Sequence, residues 1–501
     1  MFRKVLVANR GEIAIRVIRA CREMGIATVA LFSDVDEQSL HVRLADEAYR
    51  LGGAPVHESY LNIERILRIA VDAGVNAIHP GYGLVSENPE FAEACERSGV
   101  TYIGPPARVL RALGDKAFTR QVMSEAGIPV VPGTSGRVSD PTEIARFAEQ
   151  SGYPILLKAA QGGGGKGLRV VHSTEELAAA LRAASSEAQK SFSDAGLYAE
   201  KLVAPARHLE VQILGDACGN LVHLGERECS IQRRHQKLLE ETPSLALDES
   251  TRQQLLETAL QAARAVGYVN AGTVEFLLDE EQRFYFLEVN SRIQVEHPIT
   301  ELVYGLDLVK EQLRIAAGQP LRYTQSALVP KGAAVECRIC AEDPFNDFLP
   351  STGTVRLLRE PGGPGVRVES SLYTGMPVSL YYDPLLAKLA TWGETRQEAI
   401  QRMQRALHEF HVVGVKTTVP FHHFALRHQA FLDGDYRTNF VQKEWSSQEP
   451  SLATMAGLAA VVGAALVHRK RQTSRVPLHS SRNGSAWKTY GRWCMTGRRG
   501  L

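Results

Sequence analysis

Glu288-Val289-Asn290-Ser291-Arg292-Ile293-Gln294-Val295-Glu296-His297 packs two carboxylates, two side-chain amides, a guanidinium and an imidazole into one short stretch. That set suits metal ligation, anion binding and proton transfer, and a purely structural strand has no need of it. Upstream, Thr273 to Leu278 and Arg283 to Val289 read as two strands of a hairpin around the polar Asp279-Glu280-Glu281-Gln282 turn. A turn symmetric about its centre places Glu275 opposite Phe286 and diagonal to Glu288, with Asn290 continuing the Glu288 face by period two. Two carboxylates and an amide then converge, and such hard oxygen ligands repel one another unless a divalent cation sits between them. Glu275, Glu288 and Asn290 are therefore candidate ligands for Mg²⁺ or Mn²⁺ beside a phosphate, against the competing reading of solvated charges on an edge strand.

A second feature with chemistry is the loop Gln161-Gly162-Gly163-Gly164-Gly165-Lys166-Gly167. Without Cβ atoms the backbone can approach a phosphate, and successive N–H groups can wrap its oxygens. Neither Ser nor Thr follows Lys166 and the GxxxxGK[ST] spacing is absent, so this is no P-loop.

The elements that must hold these residues are legible in outline. Lys4 to Ala8 is a short apolar strand, Gly11 opens a helical pattern through Ile13, Ile15, Val17 and Ile18, and Thr28 to Phe32 is the next strand. Strand and helix patterns alternate to about Gly104, which predicts a doubly wound parallel sheet. The turn after the first strand, Asn9-Arg10-Gly11-Glu12-Ile13, has one glycine where a dinucleotide fingerprint needs three, which disfavours an NAD enzyme. Gly133 to Ser139 reads as a polar linker. Ile155 to Lys158, Arg169 to Val171 and an Ala-rich helical stretch then predict a small α+β unit ending near Glu200, with strands dominating again from Arg207.

Bulk properties narrow the function classes. A chain of 501 residues with 44% hydrophobic content is long enough for two or three ordinary globular domains. Its net charge of +1 hides a split, because no acidic residue follows Glu449 while about nine Lys or Arg do, leaving the preceding chain acidic by about eight units. Nucleic acid is accordingly not an expected partner. Seven cysteines are scattered, and Cys337 and Cys340 form a lone CxxC that reads as two buried thiols in a reduced, cytoplasmic compartment. The amino end lacks signal-peptide character, and Met455 to Val467 is too short to span a membrane.

EVNSRIQVEHP, together with ERECSIQRRHQK at 226 to 237, resembles the biotin carboxylase family of the ATP-grasp superfamily. The resemblance continues through VLVANRGEIAIRVIRA, HPGYGLVSEN, GDK, KAAQGGGGKG, AVECRICAEDP, FLPSTG and YYDPLLAKL, over about residues 1 to 445. It implies an α/β and α+β chain of ATP-grasp fold: a Rossmann-like domain at 1–115, a glycine-loop lid at 116–203, and a mixed-sheet core with C-terminal domain at 204–445. Beyond it, the basic tail at 446–501, with Trp487, Lys488 and Trp493 among arginines, is expected either to dock a partner or to be disordered. The implied reaction is ATP- and bicarbonate-dependent carboxylation of biotin through carboxyphosphate.

Residue by residue, the resemblance assigns Lys116 and Lys158 to phosphates, Gly164 and Gly165 to the lid over ATP, Glu200, Lys201 and Val203 to the adenine hinge, and His208 and His235 to ribose and phosphates. Glu275 and Glu288 fall in the same nucleotide site. Lys237, Arg292, Gln294 and the backbone of Val295 match a bicarbonate cradle, where a planar guanidinium pairs two oxygens of a planar anion. Glu296 matches the base that deprotonates bicarbonate, Arg338 the cation that stabilises the biotin enolate, and Tyr82 and Gly83 a biotin-contacting turn. A salt bridge with the adjacent Glu336 is the structural alternative for Arg338. Lys166, Gln161, Glu228 and Cys340 depart from the usual family residues without removing a stated chemical group.

Implied ligands are ATP, Mg²⁺ or Mn²⁺ at two sites, and biotin as a carrier-bound substrate. Implied partners are a biotin carboxyl carrier protein, carboxyltransferase subunits and a second copy in a homodimer, with no nucleic acid and no membrane. Since the sequence holds no Met-Lys-Met biotinylation motif, biotin is expected on a separate polypeptide. The leading reading is the biotin-carboxylating component of an acyl-CoA carboxylase. Its alternatives are the corresponding component of a two-subunit pyruvate carboxylase, another ATP-grasp ligase and a non-catalytic assembly protein.

Overall fold

The structure is a computed structural model, and it describes residues 1–134, 136–138, 141–159, 168–192 and 196–446, with 462–463 and 465–468 beyond them. The glycine-rich loop, with Gly164 and Gly165, lies outside the described residues, as does most of the basic tail. Residues 1–446 form one compact unit and 447–501 a second. In the second unit the described residues, 462–463 and 465–468, are helical and exposed. Among the described residues no helix is long and apolar enough to cross a membrane.

The amino-terminal sheet has five parallel strands, β1 (Lys4–Val7), β2 (Ala27–Ser33), β3 (Glu47–Gly52), β4 (Ala77–His79) and β5 (Thr101–Tyr102), in the order β3-β2-β1-β4-β5. The expected first strand, helix and second strand are β1, α1 (Gly11–Glu23) and β2. The apolar stripe of α1 explains the helix: Ile13, Ala14, Val17, Ile18 and Cys21 are buried in one cluster with Val5 and Val7 of β1. Strand order reverses between β1 and β4, and ligands of such sheets bind in the crevice at the carboxyl ends of the strands flanking that reversal. Asn9 follows β1 and Tyr82 follows β4, and Asn9 Nδ2 donates to the carbonyls of Pro80 (2.7 Å) and Tyr82 (2.8 Å). Gly81 between them has φ of 65°, and a Cβ there would lie 2.8 Å from Asn9 Nδ2, so only glycine fits.

Next come three antiparallel strands, β6 (Ile155–Ala159), β7 (Arg169–Val171) and β8 (Leu197–Lys201), ordered β7-β6-β8. The Ala-rich helix Thr174–Phe192 packs closely on them because Ala184 and Ala188 meet Ala159 and Leu197 without long side chains between. The stretch read as a linker is not free: Thr134 N–H donates to Ala199 O at 2.9 Å and Val138 N–H to Leu197 O at 2.8 Å, so it edges β8.

From Arg207 the chain builds an antiparallel sheet of eight strands. In chain order they are β9 (Arg207–Gly215), β10 (Leu221–Arg233), β11 (Gln236–Thr242), β12 (Asn270–Leu278), β13 (Phe284–Asn290) and β14 (Ala333–Cys340), followed by Val366–Ser370 and Leu385–Gly393. Spatially the order is β13-β12-β9-β10-β11-β14, then Leu385–Gly393, then Val366–Ser370 at the edge. Helix Glu249–Ala265 covers β9 and β12 with Leu255, Leu256, Ala259 and Ala263 against Leu209, Val211 and Val274. Cys337 and Cys340 are buried free thiols on β14.

The carboxylate hairpin forms with a different register from the symmetric one expected. Leu278 pairs with Phe284, Phe276 with Phe286 and, after a bulge, Glu275 with Glu288 and Thr273 with Asn290. Two local features cause the shift. Asp279 Oδ1 accepts from the N–H groups of Glu281 (3.0 Å) and Arg283 (2.9 Å), and Gln282 is left-handed at φ 62°, which draws Arg283 into the turn. The bulge then consumes one residue of β13 and brings Glu288 directly across from Glu275 instead of diagonal to it.

Candidate functional site

Glu275 and Glu288 now face each other across a ladder, a repulsive placement for two carboxylates unless cations intervene. Lys116 Nζ, at the start of helix Lys116–Glu125, lies 2.5 Å from Glu288 Oε2. Burial works against the Lys116 ammonium, but Glu288 reverses that and its pKa is raised. Glu275 Oε1 accepts from Lys237 Nζ at 2.9 Å and Gln294 Nε2 at 3.0 Å, and His208 Nε2 lies 3.1 Å from its Oε2. Burial would raise the Glu275 carboxyl, yet Lys237 and His208 hold it well below the usual carboxylate range. Asn290 Oδ1 accepts from Arg292 Nη2 at 3.0 Å. These oxygen donors fit a small hard divalent cation, whose charge would replace the ammonium groups now neutralising them.

Lys237 on β11 is the centre of a tri-carboxylate knot. Its Nζ contacts Glu210, Glu275 and, at 2.7 Å, Glu296 Oε1. Despite its burial, those carboxylates push its pKa well above the ordinary lysine value. Glu296 is completely buried, and its other oxygen, Oε2, accepts from Arg338 Nη2 at 2.9 Å. Burial alone would raise the Glu296 carboxyl, but Lys237, Arg338 and Arg227 reverse that and keep it ionised. One carboxylate is thus shared between Lys237 and Arg338 of β14.

Arg338 does not pair with the adjacent Glu336. Its Nε donates to Glu240 Oε1 at 2.6 Å, and Glu336, paired with Glu240 across the ladder, has neither carboxylate oxygen hydrogen-bonded. Burial pushes Glu240 up to about 7 against the pull of Arg338, and pushes Glu336 well above the usual range. Arg292 reaches back to the amino-terminal sheet region, where Glu87 Oε2 lies 3.0 Å from its Nε. Glu87 also accepts from the Ser291 N–H at 3.1 Å.

The lid sheet holds a separate pair. Lys158 on β6 and Glu200 on β8 form a buried ion pair, with Arg120 Nε 3.4 Å from the other Glu200 oxygen. Lys201 turns away from it, and its Nζ caps the carbonyls of Gly152 (2.9 Å) and Tyr153 (3.1 Å). Val203 is half-buried just beyond β8. His235 sits in the β10–β11 turn with φ of 65°, where desolvation and then His208 and Lys158 lower its pKa. Tyr82 donates its hydroxyl hydrogen to Glu12, and Gly83 has φ of 61°.

The site joins Lys116 to Glu288, Glu288 across the ladder to Glu275, Glu275 to His208, Lys237 and Gln294, and Lys237 through Glu296 to Arg338, while Asn290 and Arg292, at and just beyond the end of β13, bond to each other. Glu210, Arg227, Glu240 and Glu87 belong to it and were missed by sequence reasoning. Arg227 is fully buried, ion-paired to Glu210 and hydrogen-bonded to Gln212 (2.8 Å) and Thr300 (2.9 Å). A signal existed for part of this. His208, Glu210 and Gln212 alternate with Leu209, Val211 and Ile213, a polar stripe of period two on a strand whose other face is apolar.

The chain is similar along most of its length to known proteins. The family description "Biotin carboxylase, N-terminal domain" matches residues 1–110, "Carbamoyl-phosphate synthase L chain, ATP binding domain" residues 115–324, and "Biotin carboxylase C-terminal domain" residues 336–443. Biotin carboxylase 1 of Bacillus subtilis is 50% identical over 443 residues, covering 88% of this chain and 98% of its own. A pyruvate carboxylase subunit of Methanothermobacter thermautotrophicus is 52% identical over 443 residues, covering 88% and 90%. Among solved structures, the biotin carboxylase domain dimer of Hydrogenobacter thermophilus 2-oxoglutarate carboxylase, in complex with MgADP, ADP and bicarbonate, superposes with a TM-score of 0.87 at 48% identity, covering 88% and 98%. With half of the residues identical over nearly nine-tenths of its length, and with three matching family descriptions along it, the chain belongs to the biotin carboxylase family and is an ATP-grasp ligase.

Proposed function

We propose that this chain carboxylates biotin on a separate carrier protein, using ATP and bicarbonate through carboxyphosphate, as the biotin carboxylase subunit of an acyl-CoA carboxylase, with acetyl-CoA the favoured acceptor. The observation that carries this is Glu296, whose two oxygens contact Lys237 at 2.7 Å and Arg338 at 2.9 Å. A base placed between a cation for bicarbonate and a cation for biotin serves both halves of the reaction.

In this reading Lys116 and Lys158 hold phosphate oxygens, Glu200, Lys201 and Val203 flank adenine, and His208 and His235 approach ribose and phosphates. Gly164 and Gly165 cover the nucleotide. Because its side chain is engaged elsewhere, Lys201 acts at the hinge through its backbone. Glu275, Glu288 and Asn290 would hold Mg²⁺ or Mn²⁺ at two sites, which neutralise charge on the transferring phosphoryl group when bound. Lys237, Arg292, Gln294 and the Val295 N–H bind bicarbonate, and Glu296 takes its proton. Arg338 meets the biotin enolate, an oxyanion that needs a preorganised cation, while Tyr82 and Gly83 contact the ring system.

Glu296 is a weak base while both cations grip it. Bicarbonate draws on Lys237 and biotin on Arg338, so its basicity rises only as both substrates seat. The four parts of the chain are read as a Rossmann-like domain at 1–115, a lid at 116–203, a core and C-terminal domain at 204–445, and a tail at 446–501 that docks a partner. A homodimer, a biotin carboxyl carrier protein and carboxyltransferase subunits complete the proposed assembly, in the cytoplasm. The relatives named for pyruvate and 2-oxoglutarate carboxylation favour a second reading, the equivalent component of a 2-oxo-acid carboxylase.

Carrier-bound biotin is expected to be carboxylated with a kcat/KM at least about 100-fold above that of free biotin, since remote contacts supply binding energy used at the reacting centre. Steady-state kinetics with each form test this. Equal efficiency for the two would remove the carrier from the account. Acetyl-CoA and pyruvate acceptance, measured after reconstitution with the native transferase, separates the two readings.

A further inference from the structure

Lys388 is the one buried lysine in the first unit, among the described residues, whose position between two assigned subsites has no assigned role. It lies in strand Leu385–Gly393 directly across the ladder from Arg338 of β14, and its side chain is fully buried. An ammonium in that position is costly unless its partners are specific. Its Nζ donates to the carbonyl of Val295 at 3.0 Å and lies 3.1 Å from Glu12 Oε2. Glu12, at the first turn of α1, accepts with its other oxygen the hydroxyl of Tyr82. The Lys388 ammonium also lies 5.8 Å from the centre of the Tyr82 ring.

Two neighbouring cations on adjacent strands therefore grip consecutive residues of one loop: Arg338 the side chain of Glu296, Lys388 the carbonyl of Val295. The preceding peptide is also fixed from behind, because Gln294 O accepts from His297 Nδ1 at 2.8 Å and His297 N–H at 3.3 Å. In a planar trans peptide the N–H points opposite the carbonyl, so that anchoring fixes the direction of the Val295 N–H. Holding the next carbonyl stops this loop from rotating.

We propose that Lys388 is a positioning residue that clamps the Val295–Glu296 peptide and, through Glu12, ties the bicarbonate cradle to the Tyr82 turn at the amino-terminal sheet. The proposal rests on the assignment of the Gln294–Glu296 loop to bicarbonate and of Tyr82 to biotin. It adds a physical link between them that neither assignment contains. Loosening the clamp should weaken both small substrates and spare the nucleotide, whose contacts at Lys116, Lys158 and Glu200 lie on other elements.

The test uses the full chain. Lys388→Met is expected to raise the KM for bicarbonate about tenfold or more and that for biotin by several-fold, with the KM for ATP within about twofold of wild type. Lys388→Arg, which keeps a charged donor, should recover much of the loss. Glu12→Gln should give a smaller rise in the same two constants, and the double variant should be no worse than Lys388→Met alone, as expected of residues acting in one chain. Should Lys388→Met fail to fold, Glu12→Gln carries the same split of bicarbonate and biotin from ATP.

A bicarbonate KM within about twofold of wild type in folded Lys388→Met, or an unchanged one in Glu12→Gln, would overturn the clamp, as would parallel rises for ATP and bicarbonate. Losses that multiply in the double variant would overturn the link through Glu12. Wild-type protein without bicarbonate-dependent turnover is a different result, and it removes the carboxylase reading and this inference together.

Discussion

Glu296→Gln is expected to lower biotin-dependent turnover by about 10²- to 10⁴-fold while leaving ATP affinity nearly unchanged. The substitution keeps the size of the side chain and removes its ability to take a proton. It also removes a negative charge shared by Lys237 and Arg338, and it sets an amide NH₂ against one of two groups that can only donate. Some local rearrangement therefore accompanies the chemical loss. Single-turnover carboxylation alongside nucleotide binding by calorimetry separates the two effects. Near wild-type turnover in this variant would assign the proton transfer to another group.

The second large effect distinguishes the two hairpin carboxylates. Glu288 contacts Lys116, whereas Glu275 contacts Lys237, His208 and Gln294. Glu288→Gln should therefore raise the Mg²⁺ concentration needed for half-maximal ATP cleavage by about 10- to 100-fold with little change in the bicarbonate KM. Glu275→Gln should raise the metal requirement comparably and the bicarbonate KM as well, because it releases Lys237 and Gln294 from their common partner. Metal and bicarbonate titrations of both variants check this. Metal curves that overlay wild type would take the hairpin out of metal binding, and identical bicarbonate behaviour in the two variants would contradict their division of labour.

The contrast depends on a register that the sequence did not reveal. Alternation in Thr273 to Leu278 and Arg283 to Val289 identified the two strands, and the polar tetrapeptide identified the turn. The pairing turned on an Asp279 side chain bonding two backbone amides and on a left-handed Gln282, local features that polarity alone does not encode. The helix α1 and strands β1 and β2 were legible because apolar periodicity was strong and burial follows it. Residue types alone marked Arg292 and Glu296 as an anion-binding group and a candidate base, while specific roles for these two, Lys237 and Arg338 came through motif resemblance, since β11, β14 and the loop before helix His297–Tyr304 meet through sheet topology.

What stayed hidden is mostly long-range. Glu87 reaches Arg292 and Ser291 from the amino-terminal sheet region, and Glu240 takes Arg338 away from its sequence neighbour Glu336. Side chains alternate across a strand, so Glu336 and Arg338 share a face, and neighbours on adjacent strands still decide which carboxylate the guanidinium meets. Glu210 was accessible in principle from its stripe with His208 and Gln212. Arg227 was not, because its partners Glu210, Gln212 and Thr300 come from distant stretches of chain.

In the proposed function one site joins ATP cleavage, bicarbonate and biotin. The most direct measurement follows ADP release and product identity together, using ¹³C-bicarbonate, MgATP and a biotinylated carrier. The account predicts that ADP release requires bicarbonate, that it accelerates with carrier, and that the label appears on the ureido nitrogen of biotin in step with ADP. Bicarbonate-independent ADP release at the same rate, or label recovered in carbamoyl phosphate with biotin unmodified, would contradict it.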